Sequence, residues 1–224
     1  MAYELLLVTG ASCEAGTMAL YLLQLRAAGI EYQVESLAGI QQHELNLGFK
    51  VKWLRMLGEK YSQYERLVCT DAFDVTFFGK KEDVIDKIPM DHVLWGAEKN
   101  CYPNPAVAER IPKRSPWCFA NGGVWAGTPK AFVEWADAVE RHPAYLPGYL
   151  DQEFDNERLA DGSGLCVIDD QTKLFFCLYC GYEELDFERG APVNTLLGTH
   201  PQFIHANGQS GTEGMWAAYE RSLK

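Results

Sequence analysis

The first part of the chain alternates unbroken apolar runs with apolar positions at helical spacing. Leu5, Leu6, Leu7 and Val8 stand together, the pattern of a strand covered on both faces, and predict a strand over residues 4–8. Met18, Tyr21, Leu22 and Leu25 then recur three and four apart, which predicts a helix over 14–28 stopped by Gly29. A second strand follows at 32–36. Val51, Leu54, Leu57 and Tyr61 mark the buried stripe of a helix that starts near Gly48, and Lys50, Lys52, Arg55 and Lys60 read as its solvated face. The short apolar run 66–70 is a third strand, ending at Asp71.

Strand and helix keep alternating further on. Strands are predicted at 93–96, 124–126, 166–169 and 203–205, with a helix over 129–141 capped by Thr128. This order predicts an α/β fold with a mostly parallel central sheet flanked by helices. Pro103, Pro105, Pro112 and Pro116 make 100–118 a long irregular loop of the kind that covers sites. No repeat or linker divides the 224 residues, so one domain is expected over 1–224.

Composition narrows the partners. A net charge of -11 opposes nucleic-acid binding, which needs concentrated Lys and Arg, and an acidic protein that takes an anion needs a cation to offset repulsion. No apolar window is long enough for a membrane span. The start lacks the features of a signal peptide, and seven scattered cysteines, including a lone Cys177-x-x-Cys180, suit a reducing compartment, so a cytoplasmic location is expected.

The turn after the first strand, Thr9-Gly10-Ala11-Ser12-Cys13-Glu14, has the outline of a dinucleotide-binding loop, but Glu14 stands where that loop wants glycine. No Tyr-x-x-x-Lys pair accompanies it. Chemistry is expected instead at the end of the third strand. Asp71 and Asp74, three apart at a carboxyl end, can hold a divalent ion if the chain turns there, although Asp is also a common turn residue. Asn121-Gly122-Gly123 precedes an apolar strand and allows close approach of a ligand. Asp151-Gln152 opens a helix, with Asp151 as either N-cap or ligand contact. His205-Ala206-Asn207-Gly208 ends a strand and offers an imidazole beside a glycine turn.

In this order, Asp71-x-x-Asp74, Asn121-Gly122-Gly123, Asp151-Gln152 and His205-x-Asn207-Gly208 resemble the motifs of GT-A type (Rossmann-like) glycosyltransferases. More narrowly they resemble the glycosyltransferase domain of procollagen lysyl hydroxylases and related collagen glycosyltransferases. Lys50-Val51-Lys52-Trp53-Leu54 and Gly96-Ala97-Glu98-Lys99-Asn100-Cys101-Tyr102-Pro103 extend the similarity. The resemblance implies a metal-dependent enzyme that moves glucose or galactose from a uridine diphosphate (UDP) sugar, UDP-glucose or UDP-galactose, to a hydroxyl acceptor such as hydroxylysine or its galactosyl derivative. It implies that Asp71, Asp74 and His205 hold Mn2+ (or Mg2+), and that Val8, Thr9, Lys50, Phe73, Asn207 and Gly208 contact the nucleotide. Asn121, Asp151 and Gln152 would surround the sugar or the acceptor hydroxyl. The nucleotide would lie on about 1–100, and sugar and acceptor on about 101–224.

Two positions depart from the family pattern. Phe73 replaces a tyrosine, and Gln209-Ser210-Gly211-Thr212 replaces a segment with a lysine. A glycogenin-like retaining transferase and a non-catalytic nucleotide-sugar-binding relative are the alternatives. The first lacks its Lys-Pro-Trp here, and the second is favoured by the missing lysine.

Overall fold

The computed structural model describes residues 3–11, 16–40, 44–208, 210, 211 and 213–223. Its centre is a six-stranded sheet in the order β2-β1-β3-β6-β5-β7. These strands are β1 (Tyr3–Ala11), β2 (Glu31–Ser36), β3 (Tyr64–Asp71), β5 (Leu94–Glu98), β6 (Phe119–Gly127) and β7 (Val167–Ile168). The run Leu5–Val8 is apolar throughout because β1 is central and both its faces are covered. Leu6 and Val8 enter one core, Leu5 and Leu7 the other, as the two-residue period of a strand requires.

On the first face lie α2 (Leu47–Lys60), α4 (Pro129–Arg141) and α5 (Asp151–Asp161), packed around Trp53, Trp95, Trp125 and Trp135. Each fully buried large side chain contributes about 1.5–3 kcal/mol of transfer free energy. Asn46 and Thr128 cap α2 and α4, accepting from the backbone N–H of Phe49 (3.2 Å) and Ala131 (3.1 Å). The α2–α4 contact depends on Gly58, where a Cβ would stand 2.5 Å from the Pro129 carbonyl oxygen. On the other face lie α1 (Gly16–Ala27) and a small sheet in the order β4-β11-β8, formed by β4 (Val75–Phe77), β8 (Phe175–Cys177) and β11 (Phe203–His205). A short α3 (Lys81–Ile85), the hairpin β9 (Leu185–Glu188) with β10 (Ala191–Asn194), and α6 (Glu213–Ser222) complete the chain.

The sheet corrects the expectation of a mostly parallel arrangement, because it is mixed. β1 is parallel to β2 and β3, and β7 to β5, but β6 is antiparallel to both β3 and β5. The reason lies in the connection. No crossover helix carries the chain back between β5 and β6, and Glu98 pairs with Phe119 across the excursion 99–118, so β6 returns alongside. That excursion is less irregular than its prolines suggested, since Pro105–Arg110 forms a 3-10 turn capped by Asn104.

Two boundaries also shift. Asn121, Gly122 and Gly123 lie inside β6 rather than before it, and Asp151 is the first residue of α5, whose N-cap is Leu150. The predicted start of the first helix at Glu14 and the Ser12–Ala15 part of the first turn lie outside the described residues. Among the described residues no helix is long and apolar enough to cross a membrane.

Candidate metal centre and the cleft beside it

The antiparallel return of β6 places its first half against the carboxyl ends of β3 and β5. Thr70 stands opposite Val124, so Gly123 falls beside Asp71, the last residue of β3. From the other sheet, β11 sets His205 opposite Val75, and the Ala206 N–H donates to the Asp74 carbonyl at 2.7 Å. Backbone pairing thus brings together Asp71, Asp74 and His205, residues separated by up to 134 positions in sequence. One ligand atom from each lies within 4.8 Å of the others. His205 Nε2 is 3.2 Å from Asp74 Oδ2 and 3.8 Å from Asp71 Oδ2.

The imidazole is buried and its orientation fixed. Asn121 Nδ2 donates to Glu98 Oε1 (3.2 Å), which turns Asn121 Oδ1 toward His205 Nδ1 at 2.9 Å. Burial alone would lower the His205 pKa, but the hydrogen bond to Asp74 and the charges of Asp74, Asp71 and Glu98 outweigh it, so the pKa is raised. No side chain separates the ligands from β6. A Cβ on Gly123 would lie 2.2 Å from His205 Cε1 and 2.7 Å from Asp71 Oδ2.

Lys50 is the cation set among these carboxylates. Its side chain is only 12% exposed, so it does not belong to the solvated face the sequence suggested. Nζ donates to the Gly122 carbonyl (2.8 Å), lies 4.1 Å from the Trp125 ring centroid and is 3.9 Å from Asp151 Oδ2. Asp151 is held against β6 by Gly122, where a Cβ would come within 2.4 Å of its Oδ2. Burial pushes the Asp151 carboxyl up and Lys50 pulls it down, with a net rise.

A residue that sequence reasoning did not single out organises the rest. Glu98, buried at the end of β5, accepts from Asn121 Nδ2, Gln152 Nε2 and Asn207 Nδ2 (2.9 Å for the last). It gathers three expected site residues from β6, α5 and the turn after β11. The signal lay in the segment Gly96-Ala97-Glu98, where a carboxylate closes an apolar strand. Asn207 Oδ1 in turn accepts from the Tyr179 N–H (3.0 Å), and Gly208 takes the left-handed φ of +66° beneath the Tyr179 ring. Tyr179 was likewise overlooked.

Other expected residues are placed differently. Val8 and Thr9 are fully buried in β1, where Thr9 Oγ1 donates to the Thr70 carbonyl (3.0 Å), so their side chains serve the core. Phe73 sits in the turn between the two aspartates, 36% exposed, bordering a small cleft with Asp74, Tyr21 and Trp216. Cys177 is buried and Cys180 exposed, both as free thiols.

The donor set suits a divalent ion. Two carboxylates and one imidazole converge, further carboxylates surround them, and Gly123 leaves the space open. Mn2+ or Mg2+ fits hard oxygen ligands with one nitrogen. The acidic pair at the end of β3 and the late histidine on β11 stand together in a mixed α/β fold, as the resemblance to GT-A type glycosyltransferases implies. In keeping with this, the fold is similar to that of a crystal structure of a glycosyltransferase involved in the glycosylation of the major capsid of PBCV-1, with a TM-score of 0.53, 15% identity and 98% of each chain covered.

The PLOD GT domain family model matches residues 2–213, and the chain belongs to that family. It is 27% identical over 179 residues to the multifunctional procollagen lysine hydroxylase and glycosyltransferase LH3 of Rattus norvegicus, covering 72% of this chain and 23% of that protein. It is 27% identical over 176 residues to procollagen-lysine,2-oxoglutarate 5-dioxygenase of Drosophila melanogaster, covering 73% and 24% respectively. The chain therefore spans about a quarter of the length of these relatives.

Proposed function

We propose that this glycosyltransferase moves glucose or galactose from a UDP sugar to a hydroxyl acceptor. The observation that carries the reading is the convergence of Asp71, Asp74 and His205 within 4.8 Å at the carboxyl ends of β3 and β11. When bound there, Mn2+ or Mg2+ supplies charge neutralisation for the departing diphosphate. The chain's own residues do the rest. Asn121 holds the imidazole, Lys50 adds positive charge beside the acidic ligands, and Asn207 and Gly208 border the diphosphate. Asp151 and Gln152 fix the sugar between β6 and α5, with the nucleotide on the side of residues 1–100 and sugar and acceptor on the side of 101–224. Phe73, half-exposed in the metal turn, packs on the nucleotide at the end of β1 that Val8 and Thr9 support.

In the reaction the acceptor oxygen bonds to the anomeric carbon, the bond from that carbon to the diphosphate breaks with its electron pair, and the hydroxyl proton passes to a base. Positioning and leaving-group stabilisation supply the acceleration. The test offers UDP-glucose and UDP-galactose separately and follows donor consumption by NMR, which also gives the product anomer. Consumption of one of them supports the proposal; a chain that consumes and binds neither contradicts it.

A further inference from the structure

β7 closes the six-stranded sheet on one side, because among the described residues it pairs with β5 alone. Ile168 stands opposite Trp95, and the next N–H, that of Asp169, donates to the Trp95 carbonyl at 2.9 Å. In a parallel ladder the residues on either side of a bridged one bond to the partner strand. The N–H and C=O of Ile168 itself therefore face away from β5, along the open edge.

A groove of about 430 Å³ lies beside that edge. Ile111 and Pro112 line it from the excursion 99–118, Leu159 from the end of α5, and Val167 and Ile168 from β7. Such a lining takes an aliphatic side chain. The charge at its rim is positive and unpaired. Arg114 lines the groove, Lys113 precedes it, and Arg110 stands four residues before Arg114. All three are exposed, and none forms an ion pair among the described residues. The other charges there are engaged: Arg158 is held by Asp161 at 3.0 Å, and Asp170 accepts from Gln171 Nε2 at 3.4 Å. Three unpaired cations this close together stand out in a chain of net charge -11.

An occupant must supply a backbone that pairs with Ile168, an aliphatic side chain, and negative charge. An extended polypeptide with acidic residues next to apolar ones has all of these. A polyanionic glycan or a nucleic acid has the charge but neither the amide backbone nor the aliphatic side chain, and the acidic surface elsewhere repels both. We propose that the groove docks an acidic, extended polypeptide segment, added to the edge of β7 and paired with Arg114 and Lys113. Leu159 lies about 10 Å along α5 from Gln152, so a segment docked there is held beside the metal centre. The binding is expected whether or not the chain transfers a sugar.

The probe is the blocked peptide acetyl-Glu-Val-Glu-Val-Glu-amide, titrated into the isotope-labelled native chain and followed by NMR. Saturable binding with a Kd below about 1 mM is expected at low salt, weakening as salt rises. The Ile168 amide proton should exchange freely in the chain alone and be protected by the peptide. That of Asp169, already bonded to Trp95, should be protected in both states. A peptide with lysine in place of each glutamate should not bind. The double variant Lys113→Glu/Arg114→Glu, at exposed side chains, should fold as the native chain does and weaken the binding at least about tenfold. Arg114→Lys, which keeps the charge, should retain most of it. A heparin tetrasaccharide serves as the competing polyanion. The proposal is overturned if the acidic peptide does not bind, if the lysine peptide binds as well, or if the double variant binds like the native chain. Unchanged exchange at Ile168 with peptide bound, or tighter binding of the heparin fragment, would overturn it equally.

Discussion

Asn121 Oδ1 stands 2.9 Å from His205 Nδ1, and that contact sets which nitrogen of the imidazole faces the two aspartates. Because the other end of the amide donates to Glu98, the oxygen has one orientation and Nδ1 must carry hydrogen. Nε2 then points at Asp74 and Asp71. In the metal-free protein a proton on Nε2 pairs with Asp74. A divalent ion competes with that proton for the same lone pair.

Removing the orienting amide should therefore weaken metal binding without touching a ligand. Asn121→Ala is expected to lower Mn2+ affinity by about 10- to 100-fold, the usual effect of deleting a partner of a metal-bound histidine. Calorimetric titration of Mn2+ into both proteins checks this. Equal affinities would show that β11 alone positions the ring.

The competition between proton and metal gives a pH dependence with a definite sign. The His205 pKa lies above its ordinary value of 6.5 in the fold. Its contribution to the stability of the metal-free protein is fully present below the unfolded value and is lost as pH rises through the raised one. Mn2+ affinity runs the opposite way, climbing over that window and levelling above it. Parallel melting curves and Mn2+ titrations from about pH 6 to 9 should show the two trends crossing, and both should flatten in His205→Ala.

Gly123 is required for space, not for backbone freedom. Gly123→Ala would put a methyl group 2.2 Å from His205 Cε1, so β6, β3 or the histidine must move. The expected result is loss of Mn2+ binding together with a destabilisation of about 1–3 kcal/mol from overpacking. Gly148→Ala, where nothing stands within 4 Å, should leave both unchanged. Calorimetric titration and urea melts on the two variants decide the point.

Asp155 is fully buried one turn after Asp151 and neither of its oxygens has a hydrogen-bond partner among the described residues. Burial and the nearby Asp151 charge push its pKa well above 3.8. With the folded pKa raised, its stability contribution is intact below the unfolded value and falls as pH rises through the folded one. Asp155→Asn removes that titration, so the variant should gain on the native chain as pH increases from about 4 toward 8. Unfolding midpoints at several pH values would test it; a difference that is constant with pH would contradict the assignment.

Much of the scaffold was legible in the sequence because it follows periodicity and caps. The Leu5–Val8 run, the stripe Val51, Leu54 and Leu57, and the Thr128–Pro129 start of α4 all fall as their patterns indicate. The site was legible as ligand types, but not as a network. Gly122 and Gly123 read as standing before a strand because paired glycines punctuate loops, yet here they lie within a strand whose bulk-free face admits Asp151 and His205. Strands of three residues such as β4 and β8 carry no period at all. Lys50 looked solvated because its neighbours in sequence are charged, and only the packing of Trp125 and Gly122 shows it turned inward. Glu98 was hidden for a related reason, as its role depends on three amides from distant elements.

If catalysis runs through a divalent ion held by Asp71, Asp74 and His205, UDP release from UDP-glucose and UDP-galactose must depend on that ion; it is measured for the native chain with Mn2+, for the same chain after chelation, and for Asp74→Ala. The expected result is release that depends on Mn2+ in the native chain and falls by at least about 100-fold, some 2.7 kcal/mol, in the other two. Release that persists undiminished after chelation, or in Asp74→Ala, would contradict it.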